Sequence, residues 1–393
     1  MLTLVVGTGP TSAQTPTPTG TATPDPTPTP SESSAAGVTL KASHSIVTFG
    51  GRVRLFGTVD PPVQGETVSI IDENGRTRAT AITNARGRYS TTIRPPRNTT
   101  LTARWLVALS TPVTVRVRPV LKVHIGKVIL FGRAQVIGRV APLHPDDRVT
   151  LRLVRNGRTI RSRRAPLNRS SRFNTSFAIH KPGAYRVRAA FDDADHVFVV
   201  EKTTTRETPL PSLNVGSKGS YVARLERRLD ELGYHLEGID ASYDRRTYDA
   251  VIAFNKVQGR TRYGSVSAST WRALAEPKIP RPRADSPRVH IEVDQTKQVL
   301  YVVKDGRVRN ILHVSTGAGG ATRDGVFHFF REINGYSGGG LYLPTYFDGL
   351  RAIHGWPEVP TYNASHGCVR VPMWAARWIF EEVELGDEIR IYH

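Results

Sequence analysis

The sequence is poor in sulfur and has no long apolar run. Its 393 residues include one cysteine and two methionines. A single cysteine excludes an internal disulfide and leaves the redox compartment undecided. No stretch of 18 consecutive apolar residues occurs, which excludes a transmembrane helix in the sequence as given.

Acidic residues are scarce in the N-terminal half. Residues 38–208 carry 30 Lys and Arg against 11 Asp and Glu, whereas residues 287–393 carry 11 against 12. A basic surface suits a polyanion such as nucleic acid, anionic lipid or an anionic cell-wall polymer, although arginine-rich strands also present plain solvated faces. Proteins that bind single-stranded nucleic acid place aromatic residues among the basic ones, and the basic segment does not. It also has no recognition-helix pattern, so nucleic acid is not expected as a partner.

No folded domain is predicted for residues 1–37. A short apolar start followed by Thr11-Ser12-Ala13 predicts a truncated signal peptide. The stretch TPTPTGTATPDPTPTPSESS then predicts an extended tether, because proline interrupts both ladders and helices. Membrane contact is expected only if the true N-terminus carries a signal anchor.

Residues 38–118 and 119–207 are predicted to be two copies of one β module. FGGRVRLFGTVDP aligns with FGRAQVIGRVAP, and VSIIDENGRTRA aligns with LRLVRNGRTIRS. Each copy has an Asn-Gly pair, Asn74-Gly75 or Asn156-Gly157, between alternating apolar runs, which is a strong hairpin signal. The short strands predict two β-sandwiches, which resemble bacterial immunoglobulin-like modules. They contain no His, Cys and Asp cluster, so we interpret them as spacers or wall-binding modules.

Residues 209–276 change to a helical period. SYVARLERRLDELGY, DRRTYDAVIAFNKVQG and SVSASTWRAL predict three helices, the third capped by Ser267. The segment resembles the peptidoglycan-binding module of wall hydrolases and transpeptidases. It departs from that family at Ala241 and Asp244, which replace glycines, and at Asn255, which replaces a glutamine. A three-helix spacer is the alternative interpretation.

After a Pro-rich linker at 277–286, residues 287–393 predict a mainly β domain. RVHIEVD and GVFHFFRE alternate, and QVLYVVKDGRVRNILHVS predicts a hairpin around Asp305-Gly306. MWAARWIFEEV predicts a helix whose first position is Pro372, and GDEIRIY predicts a closing strand. The predicted chain is thus multidomain and mainly β: two immunoglobulin-like sandwiches, a small three-helix domain and a β-rich C-terminal domain.

Cys368 stands in IHGWPEVPTYNASHGCVRVP and has three interpretations. A core cysteine is disfavoured, because its neighbours Ser365, His366, Gly367 and Arg370 are polar or small. A metal site made by Cys368 and the two nearby histidines lacks a recognisable fourth ligand, so no metal is predicted. A nucleophile fits best, since a histidine within hydrogen-bond reach turns a thiol into the reactive thiolate.

His354, fourteen residues before Cys368, is the predicted base. GLRAIHG predicts a strand that ends at His354, and SHGCVRV predicts a tight turn that enters a strand. If the two lie side by side, the imidazole faces the sulfur, and Gly367 lets consecutive amides point at an oxyanion. WPEVPTYNA is predicted as a loop over the site. Papain-like and wall-amidase enzymes run Cys first and His much later, so this chain order disfavours both.

The pattern HG…SHGCVR resembles the active-site signature of YkuD-type L,D-transpeptidases, and the resemblance covers 287–393. IEVDQTKQVLYVVKDGRVRNILHVSTG is similar to the opening hairpins of that family, and LPTYFDGLRAIHG to the strand that leads to its base. In TRDGVFHF, Arg323 replaces the usual proline. A YkuD-like domain after a peptidoglycan-binding module is a familiar pairing.

The resemblance implies a cysteine acyltransferase that needs no cofactor. Cys368 attacks the carbonyl between a third-position diamino acid and the fourth-position D-alanine of a stem peptide, D-alanine leaves, and a thioester forms. His354 is the general base, and the Gly355 carbonyl fixes its tautomer. The side-chain amine of a second stem accepts the acyl group, which gives a 3→3 cross-link. L,D-carboxypeptidation of the same donor and a non-catalytic wall-binding protein are the alternatives.

The resemblance also implies supporting roles. His366 and Gly367 lie in the oxyanion turn, Ser365 supports that turn, Arg370 steers a substrate carboxylate and Tyr346 lines the pocket. The implied partners are peptidoglycan stem peptides and, as covalent inhibitors, carbapenems. The implied location is extracytoplasmic, in the cell envelope or cell wall, where anionic polymers would suit the basic modules.

Overall fold

The computed structural model describes residues 37–192 and 198–393. The predicted signal peptide and tether lie outside the described residues. The described chain forms two compact units, one with residues 37–47 and 52–116 and one with residues 48–51, 117–192 and 198–393. Within the described residues, no helix combines the length and apolarity needed to cross a membrane.

The first unit is built from short strands in two sheets. These are β1 (Gly37–Val38), β2 (Lys41–Ala42), β3 (Ile46–Thr48), β4 (Val53–Asp60), β5 (Thr67–Asp72), β6 (Thr77–Ile82), β7 (Arg88–Ile93), β8 (Thr99–Trp105), β9 (Ala108–Leu109) and β10 (Val113–Arg118). One sheet has the order β1-β4-β2 with β7 on β4, and the other has the order β3-β10-β8-β5-β6 with β9 on β8. Alternate residues such as Val53, Leu55 and Val59 are buried, as expected of sheets with one covered face.

The second β module repeats this plan. Its strands are β11 (Val120–Val128), β12 (Gly132–Ala141), β13 (Arg148–Arg155), β14 (Arg158–Pro166), β15 (Arg172–Ile179), β16 (Ala184–Asp192) and β17 (Val199–Glu207). They form the sheets β11-β12-β15 and β14-β13-β16-β17. The order β14-β13-β16-β17 is the same as β6-β5-β8-β10 in the first unit.

Equivalent side chains support the sequence repeat. The Asn84 carboxamide oxygen accepts from the N–H groups two and four residues later, both at 3.0 Å, and Asn168 does the same, also at 3.0 Å. Both predicted hairpins form. Asn156 and Gly157 have φ of 49° and 77°, the left-handed pair that a two-residue hairpin turn requires.

Three helices follow: α1 (Ser220–Glu231), α2 (Arg245–Val257) and α3 (Ala268–Ala275). The Ser267 side chain caps α3 as predicted, and the Asp244 side chain caps α2 by accepting from the Thr247 N–H. Asp244 has a φ of −98°, so the glycine missing there is not needed. Ala241 has a φ of 63°, a conformation that strains a residue with a Cβ.

The C-terminal domain is formed by two sheets and one helix. Its elements are β18 (Val289–Asp294), β19 (Val299–Lys304), β20 (Arg307–His313), a 3₁₀ turn (Ala318–Gly320), β21 (Gly325–His328), β22 (Arg331–Glu332), β23 (Tyr342–Asp348), β24 (Arg351–Trp356), β25 (Val369–Pro372), α4 (Met373–Glu382) and β26 (Glu388–Tyr392). The sheets have the orders β20-β19-β18-β26-β21 and β22-β23-β24-β25.

Three details of this domain differ from the sequence predictions. GVFHFFRE is not one strand: β21 joins the first sheet and β22 the second, so the chain changes sheets at Phe329. β24 does not end at His354 but continues to Trp356, because it pairs with β25 along that length. Pro372 precedes α4 as its cap, with ψ of 143°, and Met373 is the first helical residue.

β19 belongs to two hydrophobic cores. Leu300 and Val302 face the core between the two sheets of the C-terminal domain. Tyr301 and Val303 face a second core that also contains Phe254 of α2. A strand covered on both faces explains the continuous apolar run VLYVV. The helical domain and the C-terminal domain are therefore packed on each other through a shared core.

Candidate active site

The register of β24 and β25 places the predicted nucleophile and base on one face of the sheet. The two strands are parallel, with His354 opposite Arg370 and Ile353 opposite Val369. Because side chains alternate along a strand, His354 and Arg370 share one face, and Cys368, two residues before Arg370, points to the same side. Ile353 and Val369 point to the opposite side, into the core.

His354 is held as a neutral base. Its side chain is 2% exposed, and Nδ1 lies 2.9 Å from the carbonyl oxygen of Gly355. A carbonyl only accepts, so Nδ1 carries the hydrogen and Nε2 keeps a free lone pair. The ring also meets Trp356 edge to face at 5.5 Å. Burial lowers the pKa of His354, only partly offset by the bond to Gly355, and the Arg370 charge lowers it further.

Cys368 is half-buried, and its Sγ lies 3.8 Å from the Leu350 carbonyl oxygen. Burial raises the pKa of the Cys368 thiol, while the Ala352 backbone N–H and the charges of Arg370 and Arg351 oppose that rise. The sequence hypothesis relied on histidine and oriented amides to lower this pKa, but burial outweighs them. The resting pair is therefore a thiol and a neutral imidazole.

Ser365 closes the turn before the nucleophile. Its hydroxyl donates to the Cys368 carbonyl oxygen at 2.5 Å and accepts from the Gly367 N–H at 3.1 Å. The Gly367 N–H is thereby engaged inside the turn, which leaves the His366 and Cys368 N–H groups as candidate donors to an oxyanion.

Gly367 has no room for a side chain. Its φ is 128°, and a Cβ there would lie 2.9 Å from Arg351 Nε and 3.0 Å from the Ala321 carbonyl oxygen. Thr322, which is 1% exposed, fixes the same residue by donating from its hydroxyl to the Gly367 carbonyl at 2.8 Å. The Thr322 hydroxyl also accepts from the Gly317 N–H at 2.7 Å. These contacts fix the path of the backbone into Cys368.

The other predicted site residues lie at different depths. Tyr346 is opposite Ala352 across β23 and β24, hence on the Cys368 face, with the Arg331 guanidinium 3.9 Å over its ring. Arg370 lies 5.0 Å over the Trp356 ring and has no acidic partner among the described residues. His366 is exposed beside the turn.

Thr322, Arg351 and Trp356 were not selected from the sequence. Arg351 donates from Nε to the Ala321 carbonyl at 2.8 Å and from Nη1 to Asp348 at 2.9 Å. Thr322 and Arg351 lie in TRDGVFHF and GLRAIHG, so their proximity to the motif was visible. The bond of Thr322 to Gly367, 45 residues away, and that of Arg351 to Ala321, 30 residues away, could not be seen in the sequence.

No metal centre is apparent in residues 37–192 and 198–393, where no three His, Cys, Asp or Glu side chains are grouped to hold an ion.

Two segments of the chain match known families. Residues 288–391 match the L,D-transpeptidase catalytic domain (YkuD), and residues 218–274 match a peptidoglycan-binding domain. No curated protein matches the chain.

Solved structures give further similarities. Residues 123–326 of an L,D-transpeptidase from Xylanimonas cellulosilytica are 36% identical, with 47% of this chain and 100% of that chain covered and a TM-score of 0.45. An L,D-transpeptidase from Stackebrandtia nassauensis is 24% identical, with 47% of this chain and 97% of that chain covered and a TM-score of 0.31. The catalytic-domain match and the 36% identity over the whole Xylanimonas chain show that this protein belongs to the L,D-transpeptidase family.

Proposed function

We propose that the protein is a peptidoglycan L,D-transpeptidase that forms 3→3 cross-links through a thioester on Cys368. The observation that carries this proposal is the buried His354, with Nδ1 committed to the Gly355 carbonyl and Nε2 free on the sheet face of the sulfur. An unprotonated nitrogen beside a neutral thiol is suited to general base catalysis.

In the acylation half-reaction, His354 Nε2 takes the thiol proton as Sγ attacks the carbonyl carbon before the terminal D-alanine. The carbonyl oxygen becomes an oxyanion, to which the Cys368 N–H donates. When the C–N bond breaks, the imidazolium returns the proton to the leaving amine of D-alanine. Because the pKa of His354 is lowered, this return is favourable, and the thioester remains with a neutral base.

In the second half-reaction, the side-chain amine of another stem peptide attacks the thioester. His354 removes a proton from the amine, the C–S bond breaks, and the thiolate is reprotonated. Water attacking in place of the amine would give L,D-carboxypeptidation. Arg370 is the proposed partner of a carboxylate of the stem peptide, since its guanidinium lies 5.0 Å over the Trp356 ring and has no acidic partner among the described residues.

A defined tetrapeptide muropeptide tests the proposal by mass spectrometry. We expect a dimer that lacks one D-alanine. A tripeptide monomer as the sole product would replace transpeptidation by carboxypeptidation. No product from folded, reduced protein would favour the non-catalytic wall-binding alternative.

The proposed location is extracytoplasmic, at the cell wall, and an anionic wall polymer is proposed as a partner of the second β module. Arg152 lies directly opposite Arg188 across β13 and β16, and both side chains are exposed. Neither forms an ion pair within the described residues. Like charges directly opposite in a sheet are destabilising, and a bound polyanion would relieve that repulsion.

Binding to a glycerol-phosphate polymer tests this partner. We expect the double variant R152Q/R188Q to bind more weakly than wild type and the difference to shrink in high salt, because the attraction is electrostatic. The double variant R86Q/R97Q removes the same charge from exposed positions of the first β module. Equal binding by both double variants would rule out this arginine pair as the docking site.

A further inference from the structure

A single segment joins the base to the nucleophile. Residues 357–364, here called the connecting segment, run from the end of β24 to the turn before Cys368. Trp356, at one end, packs on the His354 ring, and Ser365, at the other, bonds to the Cys368 carbonyl. The connecting segment therefore ends at contacts with both reactive residues, which the pairing of β24 and β25 brings to one face of the sheet.

The helical domain donates a hydrogen bond directly to this segment. Arg262, which follows α2, donates from Nη1 to the Thr361 carbonyl oxygen at 2.5 Å. Its Nη2 donates to the Thr296 carbonyl oxygen at 2.8 Å, in the turn between β18 and β19. One guanidinium thus joins the connecting segment to the turn between β18 and β19, by bonds that its charge strengthens.

A second contact comes from inside the interface. Lys256 of α2 is 2% exposed, and its Nζ lies 2.6 Å from His313 Nδ1, 2.8 Å from the Gln298 carbonyl and 3.0 Å from the Val314 carbonyl. His313 Nε2 lies 2.8 Å from the Val359 carbonyl, so Nε2 must carry a hydrogen and donate it. Lys256 thereby fixes the His313 ring that holds the connecting segment.

We propose that Lys256 and Arg262 of the helical domain are positioning residues of the active site, which hold the connecting segment and through it the spacing of His354 and Cys368. The inference rests on the proposed function for its catalytic consequence. The helical domain is then part of the frame of the active site as well as a peptidoglycan-binding domain. Misplacement of reacting groups by about 1 Å can cost about 100-fold in rate, so loss of either contact is expected to slow acylation.

Hydrogen exchange of the full-length protein tests the structural step. In R262Q, whose side chain is shorter and uncharged, we expect the amides of Glu358, Val359 and residues 361–364 to exchange faster than in wild type, because Thr361 loses its charged partner while the shared core remains. R262K keeps a charged donor group but loses the two-pronged guanidinium, and it should give an intermediate rate. R272Q is the matched control, since Arg272 is exposed on α3 of the same domain. Unchanged exchange in residues 357–364 of R262Q would overturn the inference.

Alkylation of Cys368 tests the effect on the site and does not depend on the proposed reaction. We expect R262Q and K256M to alter the rate and pH profile of alkylation by iodoacetamide, with R272Q like wild type. Turnover of the tetrapeptide muropeptide by R262Q should fall at least about 10-fold in kcat with a smaller change in KM. If wild-type protein shows no turnover, only the proposed function is contradicted. If folded R262Q is alkylated at Cys368 at the wild-type rate and with the wild-type pH profile, the positioning role is contradicted.

Discussion

His354 and Arg370 lie directly opposite each other in the parallel pair of β24 and β25. This relationship places a base that is kept neutral beside a fixed positive charge. The charge lowers the pKa of the imidazole, disfavours imidazolium, and opposes the burial that raises the pKa of the Cys368 thiol. Arg370 has no acidic partner among the described residues, which is why we propose it as the group that binds a substrate carboxylate.

Removal of either reactive side chain should abolish turnover. We expect Cys368→Ala and His354→Ala each to lower kcat/KM for the muropeptide by at least about 10³-fold, because members of a coupled pair act together. His328→Ala, an exposed histidine in β21, is the matched control. Thermal melting checks that each variant is folded. Near-normal turnover by Cys368→Ala would show that the nucleophile is elsewhere.

The pH profile should show a wide plateau. Burial lowers the pKa of His354 from the ordinary 6.5, so activity should fall only below that pH, where the base becomes protonated. Burial raises the pKa of Cys368 above 9.0, so iodoacetamide alkylation should still increase with pH beyond 9. Both profiles are measured on wild-type protein. An alkylation midpoint near neutral pH would mean that a thiolate is formed in the resting enzyme.

Thr322 should support acylation without touching substrate. Thr322→Val removes the bonds to Gly317 and Gly367, and each buried group left unpaired costs about 1–3 kcal/mol. We expect a lower melting temperature and at least about 10-fold slower acylation. Thr322→Ser keeps the hydroxyl and should recover most of both. If Ser and Val variants are equally active, the hydroxyl does not position the turn.

The sequence predicted local features better than contacts between domains. The Asn-Gly hairpin turns and the Ser267 cap depend on residues a few positions apart, and they form as predicted. The bond of Arg262 to Thr361 joins residues 99 positions apart in two different domains, so no local pattern indicates it. The Cys368 pKa shift also depends on burial, which a motif does not specify.

Metal removal should leave activity unchanged. Of the two histidines near Cys368, His354 has its Nδ1 committed to the Gly355 carbonyl, and His366 is exposed. We expect full turnover after exhaustive chelation, measured on the same muropeptide, with metal content followed by atomic spectroscopy. A stoichiometric zinc that is required for turnover would contradict the thiol mechanism.

A carbapenem should acylate Cys368 once per chain. Its strained lactam presents an acyl carbon to the same sulfur, the ring C–N bond opens, and the Cys368 N–H stabilises the oxyanion. The drug's carboxylate can bind Arg370, so Arg370→Ala should react more slowly than wild type. Because Cys368 is the only cysteine, intact-mass measurement identifies the modified thiol directly.

The variants separate this acylation from non-specific reaction. Cys368→Ala should show no added mass, and His354→Ala should gain the adduct more slowly because no base remains to take the thiol proton during attack. The expected gain for wild type is one drug mass. Wild-type protein that is folded and reduced, yet stays unmodified, would count against the enzyme. That result would favour a wall-binding protein whose catalytic domain has lost its chemistry. In that case Cys368→Ala should bind cell wall as well as wild type does.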